Sequence, residues 1–122
     1  MVFSQQGVGE DSGVLHFKLS RPGVLTVTSN CAISVNESPP DIIVAAWAQN
    51  TINGKQCASD RSDIRRRSDV DNGGLAQRSS ASCAKFLDSG VHSVRARCLY
   101  GIGNQFYSVP GNGSWTIEAA EL

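Results

Sequence analysis

Apolar and polar side chains alternate along most of the chain, and this period of two is typical of β-strands with one buried face. The longest alternation covers residues 25–35, where every second position from Leu25 to Val35 is apolar or small. A shorter one covers residues 14–19. Pro22 and Gly23 suit a tight turn between the two segments, so residues 14–35 are predicted to form a hairpin.

Further segments have the length and composition of strands, namely residues 41–48, 75–86, 91–100, 105–109 and 114–119. The first of them is apolar on both faces, which predicts a central strand, and Asn53-Gly54 after it is a strong hairpin signal. No segment has the apolar stripe of a helix. The chain is therefore predicted to be all-β: an antiparallel β-sandwich, jelly-roll-like, with about eight strands.

Two segments fall outside this pattern. Residues 57–74 mix arginine, aspartate and serine, which predicts a long surface loop with one short edge strand around Ile64. Residues 1–12 are polar and contain glycine, and they are predicted to be an extended N-terminal arm that lies along a neighbouring molecule. Residues 13–122 then form a single β-sandwich domain. Trp47 and Trp115 are expected to fill its core.

The composition is that of an ordinary folded domain, with 40% hydrophobic and 18% charged residues among 122. Its 11 basic residues balance 11 acidic ones, so charge gives no long-range attraction to nucleic acid or to an anionic membrane. Neither is expected as a partner. The N-terminus has neither the basic nor the apolar region of a signal peptide, so the protein is expected to stay in the cytoplasm unless a leader was removed.

The cysteines at positions 31, 57, 83 and 98 form no CxxC pair, and neither histidine has metal-ligand spacing to them. No zinc site and no cofactor are therefore predicted. Disulfides and buried free thiols remain open alternatives. Among the disulfides, Cys83 with Cys98 is favoured, because a hairpin turning at residues 87–90 would bring these two cysteines onto neighbouring strands.

Signals for catalysis are absent from the sequence, which has neither a GxSxG nucleophile motif nor a phosphate-binding GxxxxGK[ST] loop. His92 falls on the apolar face of its strand and is interpreted as a half-buried histidine with satisfied hydrogen bonds. Residues 69–73 begin like a calcium-binding loop but lack its terminal glutamate, and they are interpreted as a turn. The protein is predicted not to be an enzyme.

The candidate partner-binding residues are mostly arginines. Arg65, Arg66 and Arg67 form the sharpest cationic cluster. Aspartates bracket this cluster and no aromatic residues interleave with it, which favours a charged protein contact over nucleic-acid binding. The remaining candidates are Arg95 and Arg97, which share the polar face of their strand and are predicted to contact a sister subunit or a shell protein, and Tyr107, an aromatic that a modest carbohydrate site would use.

Three segments carry a family resemblance: residues 17–25, residues 87–97 with their Gly90, His92 and Val94, and residues 113–122. They resemble the jelly-roll module of the complement globular head and tumour necrosis factor, which also occurs in bacteriophage capsid decoration and tail proteins. The resemblance implies homotrimers and a structural or receptor-binding role. The chain lacks the aromatic-rich strands and collagen stalk of the vertebrate members, so their ligands are not carried over.

Two functions are expected from these observations. The first is a trimeric virion decoration (cement) or tail-associated protein, which binds a capsid or fibre protein and is assembled in the host cytoplasm. The alternative is a secreted, lectin-like carbohydrate-binding module with a glycan as its partner. The two differ in their chemistry, because the secreted module requires formed disulfides and the assembly protein does not.

Overall fold

The computed structural model describes the backbone of residues 2–35, 43–65, 75–102, 105–107 and 112–122. In these ranges the chain forms strands: β1 (Phe3–Val8), β2 (Leu15–Leu19), β3 (Gly23–Val35), β4 (Ile43–Ile52), β5 (Lys55–Arg65), β6 (Leu75–Leu87), β7 (Gly90–Ile102), β8 (Gln105–Tyr107) and β9 (Asn112–Glu121). A helix of the length and apolarity needed to cross a bilayer is not found in the same ranges.

The strands form two antiparallel sheets that face each other. Sheet I has the order β1-β9-β3-β6, and sheet II has the order β2-β7-β4-β5, with the short β8 beside β7. The pairs β1·β9, β2·β7, β3·β6 and β4·β5 are those of one long antiparallel ribbon rolled up on itself, which is the topology of a jelly roll. The predicted fold class is confirmed.

The hairpin between β4 and β5 is confirmed at the predicted position. Asn53 and Gly54 have φ values of 52° and 78°. Positive φ at both central residues is the geometry of the turn whose twist matches paired strands, and asparagine followed by glycine adopts it most readily. β4 lies between β7 and β5, which is the central position predicted for it.

Residues 14–35 do not form the predicted hairpin, because β2 belongs to sheet II and β3 belongs to sheet I. The chain crosses between the sheets at Pro22. This crossing turns the apolar faces of the two strands toward each other, and Phe17 and Leu19 pack in one buried cluster with Leu25 and Val27. Two facing apolar surfaces bury more area than two neighbouring strands of one sheet, so the sandwich core decides the connection.

The predicted surface loop of residues 57–74 is wrong in its first half. β5 continues to Arg65 and pairs with β4 along its length. Its alternating charged residues do not prevent a strand, because β5 lies at the edge of sheet II and Arg61 and Asp63 are exposed there. Residues 66–74 lie outside the described residues.

The N-terminal segment is part of the sandwich and not a separate arm. Residues 3–8 are β1, which pairs with β9 of the same chain from Phe3 opposite Ala119 to Val8 opposite Ser114. Residues 10–12 continue onto the other sheet, where Cys98 N donates to the Glu10 carbonyl and Ser12 N donates to the Ala96 carbonyl. Backbone hydrogen bonds within the chain therefore hold the segment that was predicted to reach a neighbour.

The two tryptophans lie on different sides of their sheets. Trp115 lies on the inner face of sheet I and packs against the core. An added Cβ on Gly7 would lie 2.4 Å from its ring, so the glycine makes room for the indole. Trp47 pairs with Leu99 and Arg61 on the outer face of sheet II, and Trp47 Nε1 donates to Ser59 Oγ at 2.5 Å. The expectation of a core position is wrong for Trp47, because its neighbours Ala46 and Ala48 occupy the inward positions.

A polar layer divides the core. Asn50 of β4 is fully buried, and it accepts a hydrogen bond from the buried hydroxyl of Ser29. Its amide nitrogen donates to the Ala81 carbonyl at 2.9 Å and to the Val27 carbonyl at 3.4 Å. These bonds join sheet II to β3 and β6 of sheet I, and separate apolar clusters lie on either side of the layer. Among the described residues, every buried side-chain polar atom has a partner.

Two disulfides connect the sheets, and neither is the predicted pair. Cys31 of β3 bonds Cys98 of β7, and Cys57 of β5 bonds Cys83 of β6, with Cα–Cα distances of 5.6 and 6.1 Å. The pairing of Cys83 with Cys98 is wrong because β6 and β7 belong to different sheets, so residues 88–89 cross the sandwich and do not close a hairpin. All four cysteines are oxidised.

Loss of the central disulfide is expected to destabilise the protein strongly. The Cys31→Ser, Cys98→Ser double variant frees a loop of 67 residues, which corresponds to about 4 kcal/mol of the free energy of unfolding. Urea denaturation measures this loss. The Cys57→Ser, Cys83→Ser variant frees a shorter loop of 26 residues and should lose less. Equal midpoints for the wild type and both variants would contradict the expectation.

Candidate binding site

The outer face of sheet I carries an open polar depression of about 510 Å³. It crosses β9, β3 and β6 and reaches β5, the neighbouring edge strand of sheet II. Its polar side chains are Asn30, Asp60, Arg78, Ser79, Ser80, Asn112 and Ser114.

Strand register explains why these residues meet, because side chains on the outward positions of paired strands stand in rows. Two such rows cross the sheet in the order β6-β3-β9: Ser80–Asn30–Ser114 and Arg78–Ala32–Asn112. Ala32 is small, so the second row is low at its centre. The depression is therefore deepest over Ala32, between the longer side chains of Arg78 and Asn112.

The rim on the β5 side is a fixed carboxylate. Asp60 Oδ2 accepts a hydrogen bond from Ser79 Oγ at 2.9 Å and from Ser80 N at 3.2 Å. Ser79 is buried, and its hydroxyl also accepts from Ala48 N at 3.4 Å. Asp60 therefore cannot swing freely, and it holds an acceptor at the rim while joining the edges of the two sheets.

The floor at the β9 end is supported from within the core. Tyr100 is fully buried and its hydroxyl donates to the Asn112 carbonyl at 2.8 Å. Burial raises the pKa of Tyr100, so the hydroxyl keeps its proton. A Cβ on Gly113 would lie 2.3 Å from the Gly9 carbonyl oxygen and 3.2 Å from Cys98 Sγ, so only glycine fits between the N-terminal segment and the disulfide.

The depression is equipped to bind a polar ligand in a fixed orientation. Asn30 and Asn112 each offer a donor and an acceptor, Ser80 and Ser114 offer hydroxyls, and Arg78 offers several N–H donors. Within the described part of the chain, no group of histidine, cysteine, aspartate and glutamate side chains has the arrangement of a metal site. That the protein is not an enzyme stays a prediction.

Arg95 and Arg97, two of the arginines predicted to bind a partner, lie on the opposite side of the molecule, on the outer face of sheet II. Arg95 is engaged within the chain: its Nε donates to Asp11 Oδ1 at 2.9 Å, and its Nη2 donates to Asp11 Oδ2. Arg97 is half-buried, and its backbone forms a bridge with Asp11. These two residues do share a face, as predicted, but Arg95 is already paired.

Arg65 and Tyr107, which are also predicted partner-binding residues, are the last residues of β5 and β8. Arg65 ends β5 with its backbone opposite Ile43, and Tyr107 lies on β8 with its backbone opposite Tyr100. Their side chains lie outside the described part of the molecule, as do Arg66 and Arg67 altogether. These side chains are therefore not part of the described site, and their binding role stays a prediction.

The interpretation of His92 is confirmed. The ring is half-buried, Nε2 lies 2.7 Å from the Asp88 carbonyl oxygen, and Nδ1 lies 3.0 Å from the Asn53 amide nitrogen. A carbonyl accepts only from an N–H, so Nε2 carries the proton and Nδ1 accepts from the amide. The ring thus joins the β4–β5 turn, through Nδ1, to the connection between β6 and β7, through Nε2.

No protein-family model matches the chain, and no curated protein matches it. The resemblance to the jelly-roll module of the complement globular head and tumour necrosis factor therefore stays a prediction, and geometry alone supports a function for the depression.

Sequence reasoning missed the depression, although a signal for it exists. Residues 26–30 and 112–116 alternate buried side chains with Thr, Asn and Ser on the outward positions. Short uncharged polar side chains on successive outward positions are unusual for a merely solvated face, which more often carries lysine and glutamate. What the sequence could not supply is the register that aligns β3, β6 and β9, or the position of Asp60 beside them.

The Asp11–Arg95 pair is expected to make stability depend on acid pH. The hydrogen bond from Arg95 lowers the pKa of Asp11 below its usual value of 3.8. A lowered carboxyl pKa stabilises the fold fully above about pH 4, and the contribution is lost as the pH falls through the folded-state pKa. Asp11→Asn should therefore flatten the free energy of unfolding between pH 4 and pH 2, measured by urea denaturation. Asp88→Asn, an exposed carboxylate outside the pair, is the control, and identical profiles for Asp11→Asn and the wild type would refute the effect.

Proposed function

We propose that the protein is a carbohydrate-binding module that works outside the cell and holds its ligand in the depression of sheet I. The observation that carries this proposal is the set of polar side chains around the depression: two asparagines, three serines, one arginine and one aspartate. Sugar hydroxyls both donate and accept hydrogen bonds, and this mixed set offers both functions at fixed positions.

The disulfides support an extracellular location. Disulfides persist in oxidising compartments and are rare in the cytoplasm, where thiols are kept reduced. Both bonds join the two sheets, so they stabilise the whole sandwich and not a local loop. This favours the secreted module over a protein that is assembled in the host cytoplasm.

The depression is also preorganised, which supports binding over a solvated surface. Asp60 is fixed by Ser79 and Ser80, and the Asn112 backbone is fixed by Tyr100. Side chains and backbone that are already ordered lose less conformational entropy when a ligand binds.

A second candidate is the assembly protein, and a separate observation favours it. At the opposite end of sheet I, an apolar row of Ala120, Val24 and Phe86 crosses the outer face. The Phe86 side chain is 73% exposed, and Leu122, at 68%, lies just beyond the row. Exposed apolar side chains that lie together mark surfaces that bind another protein. A virion decoration or tail-associated trimer would use this row as its subunit or shell contact.

The carbohydrate proposal is tested by affinity electrophoresis in gels that contain neutral polysaccharides: β-1,4-glucan, β-1,3-glucan, xylan, mannan, galactan and starch. We expect at least one of them to retard the wild type. Arg78→Ala and Asn112→Ala should each weaken the affinity about tenfold, because each removes hydrogen bonds worth about 1.4 kcal/mol to the complex.

The matched control is Lys85→Ala, which removes an exposed cation from the same strand as Arg78 but outside the depression. It should migrate as the wild type does. Absence of retardation in every gel would overturn the carbohydrate proposal, and equal retardation of Arg78→Ala and wild type would remove the depression as its site.

The assembly candidate is tested by light scattering, with and without a reductant. It requires a mass of three chains at micromolar concentration, and Phe86→Asp should reduce that mass to one chain because a charge in the contact is desolvated without a partner. Lys85→Asp is the control at the neighbouring position. A wild-type monomer would refute this candidate and would leave the carbohydrate proposal intact.

A further inference from the structure

Beyond the depression, the outer face of sheet I carries further polar side chains on the outward positions of its strands. We define the hydroxyl platform as six side chains in the next two rows of this face: Gln6, Thr116, Thr28 and Ser82 in one row, and Glu118 and Thr26, which lie between Ser4 and Ala84, in the other. All of them are exposed except Thr28, which is half-buried.

The platform has hydroxyls at defined positions. Thr28 Oγ1 and Ser82 Oγ lie 3.0 Å apart and share a hydrogen bond across β3 and β6. Threonine on a strand has few rotamers, so these hydroxyls are held by the backbone. From Asn112 in the depression to Glu118 on the platform, β9 advances by six residues, or roughly 20 Å.

The charge of the platform restricts the kinds of ligand that it can bind. Glu118 carries the only charge among the six platform side chains, and no cation of the platform balances it. An anionic chain would therefore be repelled by Glu118 and would lose water without gaining a partner. Within the platform itself, a protein partner would find none of the aromatic or large apolar anchors that concentrate binding energy in interfaces; Phe86 lies in the next row beyond it. A neutral ligand with many hydroxyls fits both restrictions.

We infer that the depression and the hydroxyl platform together bind an extended segment of a neutral polysaccharide chain, and not a single terminal sugar. This inference rests on the proposed carbohydrate function and specifies its ligand. One sugar unit occupies the depression, beside Asn112 and Arg78, and the following units lie along β9 and β3 over Thr116 and Thr28. Because the rows follow one another along β9 and β3, they favour a chain that is itself extended.

Chain length is the measurement that tests this inference. The probes are neutral oligosaccharides, from disaccharide to hexasaccharide, of the polysaccharide that retards the wild type most strongly, and their affinities are measured by titration calorimetry. We expect affinity to rise at least tenfold from the disaccharide to the hexasaccharide. Thr116→Lys should lower hexasaccharide affinity at least fivefold and leave disaccharide affinity unchanged, because it obstructs only the platform.

Gln56→Lys is the matched control, since it places a lysine on an exposed strand position of sheet II. It should bind every oligosaccharide as the wild type does, and equal melting temperatures establish that both variants are folded. Affinity that is independent of length, or unchanged in Thr116→Lys, would overturn the extended ligand while the carbohydrate function stands. Failure of the hexasaccharide to bind would also overturn the extended ligand, whereas the carbohydrate function depends on the retardation in the polysaccharide gels and would stand.

Discussion

The covalent bond between Cys31 and Cys98 fixes the separation of the two sheets at their inner strands, and the shape of the depression depends on it. On the core side, the bond lies beside Tyr100 and against Gly113. On the outer side, the same stretch of β3 and β9 supplies Asn30 and Asn112. Any change in sheet separation at this point would therefore move the floor of the depression, and the disulfide makes such a change costly because it would stretch a closed covalent loop.

The remaining links between the sheets are of different kinds and lie at different places. Asn50 connects them through buried hydrogen bonds, Cys57–Cys83 connects β5 to β6, and Asp60 connects the same edges through Ser79. A buried polar layer is satisfied only in one register, so it selects one alignment of the sheets where an apolar core alone would permit several. The outer face of sheet I is thus held by the arrangement of the interior.

Local pattern identified the strands far better than it identified their partners. The alternation at residues 25–35 and the Asn53-Gly54 turn predict local geometry, and the structure confirms both. The Ser20–Gly23 and 87–90 turns were predicted to pair neighbouring strands, yet each crosses the sandwich, because opposition of apolar faces is a property of the whole core. The same limit explains the wrong cysteine pairing and the missed depression, since its side chains come from four strands whose register no local pattern records.

The antiparallel pairing of β1 with β9 also places residues 2 and 122 at the same end of the sandwich. Val2 N donates to the Ala119 carbonyl, and Leu122 N donates to the Pro22 carbonyl, so both ends leave the sandwich on one side, at the apolar row. The depression lies toward the other side. If either end were fused to a second domain, or both were joined to the ends of a loop in a larger protein, the depression would point away from the attachment. The domain is therefore suited to insertion into a loop of another protein, because the depression would still face the solvent.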